Sequence, residues 1–143
     1  MIYALEIQQF AGALYNVTVG SAAMGQLQSE TTSAGSAGLE WVLNRYYASS
    51  FGGQSSQAVG ELVAANLGLR DEAAQAAANY LRQALDSKPV TSGGEVILDT
   101  VRLFGGLIAD PTFGRAARTW NARMDKALEY RGTVNIAGPP PGL

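Results

Sequence analysis

Apolar positions along this chain recur at three- and four-residue spacing and almost nowhere at two, which predicts helices and essentially no sheet. The pattern is densest between Ser92 and Arg131. Ser92-Gly93-Gly94-Glu95 has the form of a capping box, a Ser at the N-cap with a Glu three residues on. Val96, Ile97, Val101, Phe104, Leu107 and Ile108 follow as one apolar run. Asp110-Pro111 then turns the chain: Asp accepts from the amides of a new helix, and Pro fits a first position that needs no amide hydrogen. Phe113, Ala116, Ala117, Trp120, Met124, Ala127 and Leu128 form one stripe on that last helix. These two helices are expected to begin a core that the rest of the chain completes.

The earlier stretches are fainter. Residues 3–19 predict a first helix through Tyr3, Leu5, Ile7, Phe10, Leu14 and Val17, weakened at its end by β-branched Val17-Thr18-Val19 and broken at Gly20-Ser21. A second helix over 21–31 buries Ala22, Met24 and Leu27, and 31–36 is a loop by composition. From Gly38 to Ser50, Leu39, Val42, Leu43, Tyr46 and Tyr47 share a face, with Trp41 off it. Phe51-Gly52-Gly53 ends that helix. Ser55 or Ser56 caps the next, with Val59, Leu62, Val63 and Leu67 inward and Gly68 as its left-handed stop. Asp71-Glu72 opens a further helix whose inward stripe reads Ala73, Ala76, Ala77, Tyr80, Leu81, Ala84 and Leu85, stopped by Pro89. The expectation is an all-α domain over residues 1–132, a compact bundle of about five to six helices. Residues 133–143 form a Pro/Gly-rich linker or extended arm with polyproline character.

Composition narrows the functional classes. At 143 residues the chain suits one domain with a single core. Only 15% of residues are charged, so the surface is built largely of Ser, Thr, Gln, Asn and Gly. The net charge of −2 is unevenly spread. Residues 1–100 carry four basic and nine acidic side chains, a balance of −5, and residues 101–143 carry six and three, a balance of +3. That excess is too small and too interrupted by acids for nucleic acid. It is either a solvated helix face or a contact for an anionic partner. There is no Cys and no His, which excludes disulfides, thiolate zinc sites and His-based catalysis. The N-terminus lacks the form of a Sec signal, and no run approaches the length of a membrane span, so membrane insertion is not expected.

Candidate chemistry is sparse. No dinucleotide fingerprint, P-loop or nucleophile elbow occurs, and Asp71-Glu72 is better explained as helix N-terminal charge than as an acid/base pair, so the chain is not expected to be an enzyme. Calcium-binding nonapeptide repeats are absent, while a Ca²⁺ site built from carbonyls and one carboxylate leaves little sequence trace and stays open. Sugars stack on exposed aromatic rings. Among Trp41, Tyr46, Tyr47, Trp120 and Tyr130, the two off the apolar stripes, Trp41 and Tyr130, are the candidates for that task. Arg115, Arg118 and Arg123 on the last helix are the candidates for an anionic partner.

Several segments carry a resemblance. Ala13-Leu14-Tyr15-Asn16-Val17 and Gly38-Leu39-Glu40-Trp41-Val42 follow a pattern of small helical domains in exported bacterial proteins, a Leu-Tyr near a first helix and a Gly-Leu-x-x-Trp after a Gly-rich loop. Asn66-Leu67-Gly68-Leu69, Asn79-Tyr80-Leu81, Gly94 to Asp99, Ala109 to Gly114 and Trp120 to Tyr130 extend it over most of the chain. Together they resemble the helical N-terminal region of bacterial surface-layer and RTX-type proteins. The resemblance implies type I secretion, residence at the outer cell surface, and either self-assembly into a layer or filament or anchoring to lipopolysaccharide, with calcium ordering some such assemblies. The alternative is a carbohydrate-binding adhesin module that acts as a monomer through Trp41 and Tyr130. Copies of the same chain and surface polysaccharide are thus the expected partners.

Overall fold

A computed structural model describes residues 3–35 and 38–133, with backbone alone for Val90 and 130–133. All regular structure among the described residues is helical, in the order α1 (Ala4–Tyr15), α2 (Ser21–Ser33), α3 (Gly38–Phe51), α4 (Ser56–Asn66), α5 (Asp71–Asp86), a 3-10 turn (Val90–Ser92), α6 (Gly93–Gly105) and α7 (Gly114–Thr133). The all-α expectation holds. The described residues form seven α-helices rather than about five to six, one for each of the helical stretches marked by the apolar spacing. The expected arm falls mostly on residues 134–143, outside the described residues.

The centre of the bundle is α1, not the α6–α7 pair. Every residue from Ile7 to Leu14 is buried, and α1 packs against α6, α4, α7 and α2. Its apolar spacing predicts a helix but not a central one, because the polar pair Gln8 and Gln9 is buried with the rest. Its small residues let neighbours come close. A Cβ on Gly12 would lie 3.0 Å from the Trp120 ring and 3.2 Å from the Met124 methyl, so these two α7 side chains seat directly on the α1 backbone. Gln8 is buried yet satisfied. Its amide donates to the Val17 carbonyl at 2.9 Å, and its oxygen accepts from the Val19 amide at 2.9 Å. These bonds replace ladder partners for a segment that is not helical. The predicted helix over 3–19 ends at Tyr15 because Asn16 takes a left-handed conformation (φ 54°), a backbone region Asn tolerates. Val19 then packs fully buried in the core.

The predicted loop at 31–36 begins later than composition indicates. α2 continues to Ser33, with the hydroxyls of Thr31 and Thr32 bonded back to the carbonyls of Leu27 and Gln28. Ser55 caps α4 as expected, accepting the Ala58 amide at 3.1 Å. Gly68 (φ 83°) closes α4 in a Schellman motif, its amide bonded to the Ala65 carbonyl and that of Leu69 to Ala64. The Asp110 carboxylate accepts the Thr112 and Phe113 amides at 2.8 and 2.9 Å, which closes a turn over Pro111 to Phe113, and the last helix starts at Gly114, three residues later than Pro111 leads one to expect.

Two further expectations fail. The capping box at Ser92 does not form: the Ser92 side chain makes no cap bond. The Asn44 side chain of α3 takes that place, accepting the Glu95 amide at 2.8 Å. Gly93 and Gly94 belong to the same joint. A Cβ on Gly93 would overlap the Tyr47 ring, and one on Gly94 the Leu43–Asn44 backbone, so α6 starts in van der Waals contact with α3. On α5 the inward residues are Ala78, Leu81 and Leu85, whereas Ala76 and Tyr80 face out. The reason lies at α4, where a Cβ on Gly60 would sit 2.6 Å from the Ala78 carbonyl oxygen. That close approach turns the Ala78 side of α5 inward and Tyr80 away.

Candidate functional site

Three surface regions carry the candidate residues. The first lies between α2 and α3. Trp41 is 54% exposed, as its off-stripe position predicts. It borders a shallow groove of about 470 Å³ with Ser29, Glu30, Ser33, Ala34 and Arg45. Arg45 lies one helical turn on from Trp41, with its guanidinium 4.9 Å from the Trp41 ring centre and 5.4 Å from that of Tyr46. Its Nη2 donates to Glu30 at 2.6 Å, and the Tyr46 hydroxyl donates to the other Glu30 oxygen at 3.1 Å. Burial and the Glu30 carboxylate raise the Tyr46 pKa above its ordinary 10.0. The groove thus combines one exposed aromatic ring with a fixed acceptor and a fixed donor.

The second region is α7, and its three Arg side chains have different environments. Arg115 is exposed and borders a groove with Arg70, Thr112 and Thr119. Arg118 donates to the Ile108 carbonyl at 2.5 Å and so braces the α6–α7 corner. Arg123 is a strut. It donates to the Asn66 carbonyl at 3.1 Å and to Asn16 Oδ1 at 2.8 Å, and its guanidinium lies 5.1 Å from the Trp120 ring centre. Asn66 ends α4 and Asn16 caps α1, so Arg123 sits where two helix C-termini present partial negative charge. Burial pulls its pKa below the ordinary arginine value, and it remains a cation at neutral pH. Trp120, 2% exposed, is core. The side chain of Tyr130 lies outside the described residues. Trp41 and the α7 arginines are not brought together into one site.

The third region was not anticipated. α5, the end of α6 and the α6–α7 corner enclose a groove of about 320 Å³ lined by Leu67, Leu69, Ala76, Ala77, Tyr80, Thr100, Leu103, Phe104, Leu107 and Phe113. None of these side chains is charged, and Thr100 spends its hydroxyl on the Val96 carbonyl at 2.8 Å. Tyr80 and Leu103 are 52% and 51% exposed, and Ile108 in the adjoining corner is 49% exposed. Ile108 and Tyr80 were both expected inside. The only sequence signal for this surface was the length of the apolar run, which carries Leu107 and Ile108 past what one buried face accommodates, and Leu103 lay outside that run.

Among the described residues, no three Asp or Glu side chains gather into a group able to hold a metal ion, and no helix is long and apolar enough to cross a membrane. No family model, curated protein or solved structure matches this chain.

Proposed function

We propose that this chain is a structural module of the bacterial cell surface that assembles with copies of itself. The observation that carries the reading is the uncharged groove between α5 and the α6–α7 corner, with Tyr80 and Leu103 half exposed along it. Apolar walls of this kind offer a second molecule surface to bury, whereas a scattered apolar residue needs no partner. Burying it against a second molecule stabilises the pair by removing the same area from water. The low charge content of the remaining surface reduces the electrostatic repulsion that keeps like molecules apart. Placement at the outer surface follows from the resemblance to surface-layer and RTX-type proteins.

Hydroxyl-radical footprinting across a protein concentration series tests this reading. Tyr80, Leu103 and Ile108 lose reactivity as concentration rises, while Trp41 keeps it. Unchanged reactivity at all three positions overturns the proposal.

Trp41 favours a second reading, a carbohydrate-binding module. Its exposed ring beside the Glu30–Arg45 pair offers a stacking face with a hydrogen-bond acceptor and donor at its edge. Under that reading a purified surface polysaccharide protects Trp41 fluorescence from iodide quenching in a monomeric protein, and Trp41→Ala abolishes binding. No protection at saturating polysaccharide sinks it.

A further inference from the structure

We infer that the groove between α5 and the α6–α7 corner receives the Pro-rich segment Ile136 to Pro141 of a second copy, so that copies join head to tail. This rests on the assembly reading above and names the segment that fills the groove. The groove has aromatic and aliphatic walls from Tyr80, Phe104, Phe113, Leu103 and Leu107 and no charged side chain. Residues 132–143, Gly-Thr-Val-Asn-Ile-Ala-Gly-Pro-Pro-Pro-Gly-Leu, carry no charged side chain either. Segment and groove therefore meet without stranding a buried ion. Consecutive prolines have φ fixed before binding, so docking costs them little backbone entropy, and prolyl rings pack on aromatic walls. Prolines present carbonyls and no amide donors. The half-exposed Tyr80 supplies a phenolic donor on the groove wall for such a carbonyl.

Reach favours a segment from another molecule over the chain's own. The groove lies at the start of α7, where Phe113 immediately precedes Gly114. α7 runs 20 residues from there, about 30 Å. Pro139 stands six residues beyond Thr133, and six residues span at most about 22 Å even when fully extended. A chain leaving the far end of α7 cannot bring Pro139 and Pro140 back to Phe113 of the same molecule. It can reach the groove of a neighbour. Because arm and groove are different surfaces, the contact is heterologous, and each added copy leaves one free groove and one free arm.

Complementation between two full-length variants tests this. Leu103→Glu places a charge in the groove and leaves the arm intact. The triple variant Pro139→Asp, Pro140→Asp and Pro141→Asp spoils the arm and leaves the groove intact. Sedimentation velocity of wild type is expected to give species that grow with concentration. Each variant alone is expected to remain monomeric, its self-affinity weakened roughly tenfold or more. An equimolar mixture is expected to form heterodimers and stop there, because the second groove and second arm are both dead. A triple variant that assembles like wild type overturns the arm and leaves self-assembly standing. A mixture that stays monomeric also overturns it. A wild type that is monomeric at every concentration removes the assembly reading itself.

Discussion

Asn44 and Glu95 lie 51 positions apart in the chain, and the Asn44 side-chain oxygen accepts the Glu95 backbone amide at 2.8 Å. One helix thereby caps another. An N-cap acceptor removed by Ala substitution costs about 1 kcal/mol. Asn44→Ala should therefore lower the melting temperature by about 3 °C for a chain of this size. Ser92→Ala should fall within about 0.5 kcal/mol of wild type, because the Ser92 side chain makes no cap bond. Thermal melts of the two variants distinguish this joint from the capping box that the local sequence implies. A larger loss for Ser92→Ala would show that the box forms after all.

The same joint sets the sign for Gly94. In an ordinary helix Gly→Ala gains about 1 kcal/mol from propensity. Here the new methyl meets the Leu43–Asn44 backbone, which cannot rotate aside as a side chain would. Gly94→Ala should be destabilising by about 1–3 kcal/mol in urea unfolding. A stabilised variant would mean that α3 and α6 are farther apart than described.

Arg123 and Arg115 separate a structural cation from a surface one. Arg123→Ala removes two hydrogen bonds and the packing over Trp120, and should cost about 1–3 kcal/mol. Arg115→Ala should leave stability within about 0.5 kcal/mol. Paired denaturation curves check this, with equal losses for both variants counting against the strut role of Arg123.

Tyr15, Tyr46 and Tyr47 fix the alkaline limb of stability. Burial raises the pKa of each above the ordinary 10.0. The folded state holds these protons more tightly than the unfolded one, so the contribution is fully present below pH 10 and is lost as pH rises through the folded values. Spectrophotometric titration should show a fraction of the tyrosines ionising late, with urea stability falling over the same range. Normal titration of every tyrosine would contradict the packing around α1 and α3.

The helical class was legible because period-3.6 patterning and local stops such as Ser55, Gly68 and Asp110 act over a few residues. The central position of α1 was not, since Gln8 and Gln9 read as a solvent-facing pair and yet both are buried, Gln8 bonded to the chain at Val17 and Val19. On α5 the many alanines leave several faces equally apolar, and only the seating of Gly60 on Ala78 chooses among them. That choice turns Tyr80 outward, so the groove could not be read before the packing was known. Trp41 was legible as an exposed ring because it alone broke the α3 stripe. Arg123 looked like a surface cation because its partners, Asn16 and Asn66, are 107 and 57 positions away.

The central claim is that the groove lined by Tyr80 and Leu103 joins copies of this chain. Light scattering of full-length protein over a concentration series tests it most directly. The expected result is a weight-average mass that climbs well above the 15.0 kDa of one chain for wild type and stays there at 15.0 kDa for Leu103→Glu. A wild type that holds 15.0 kDa throughout, or a Leu103→Glu variant that assembles identically, would contradict it.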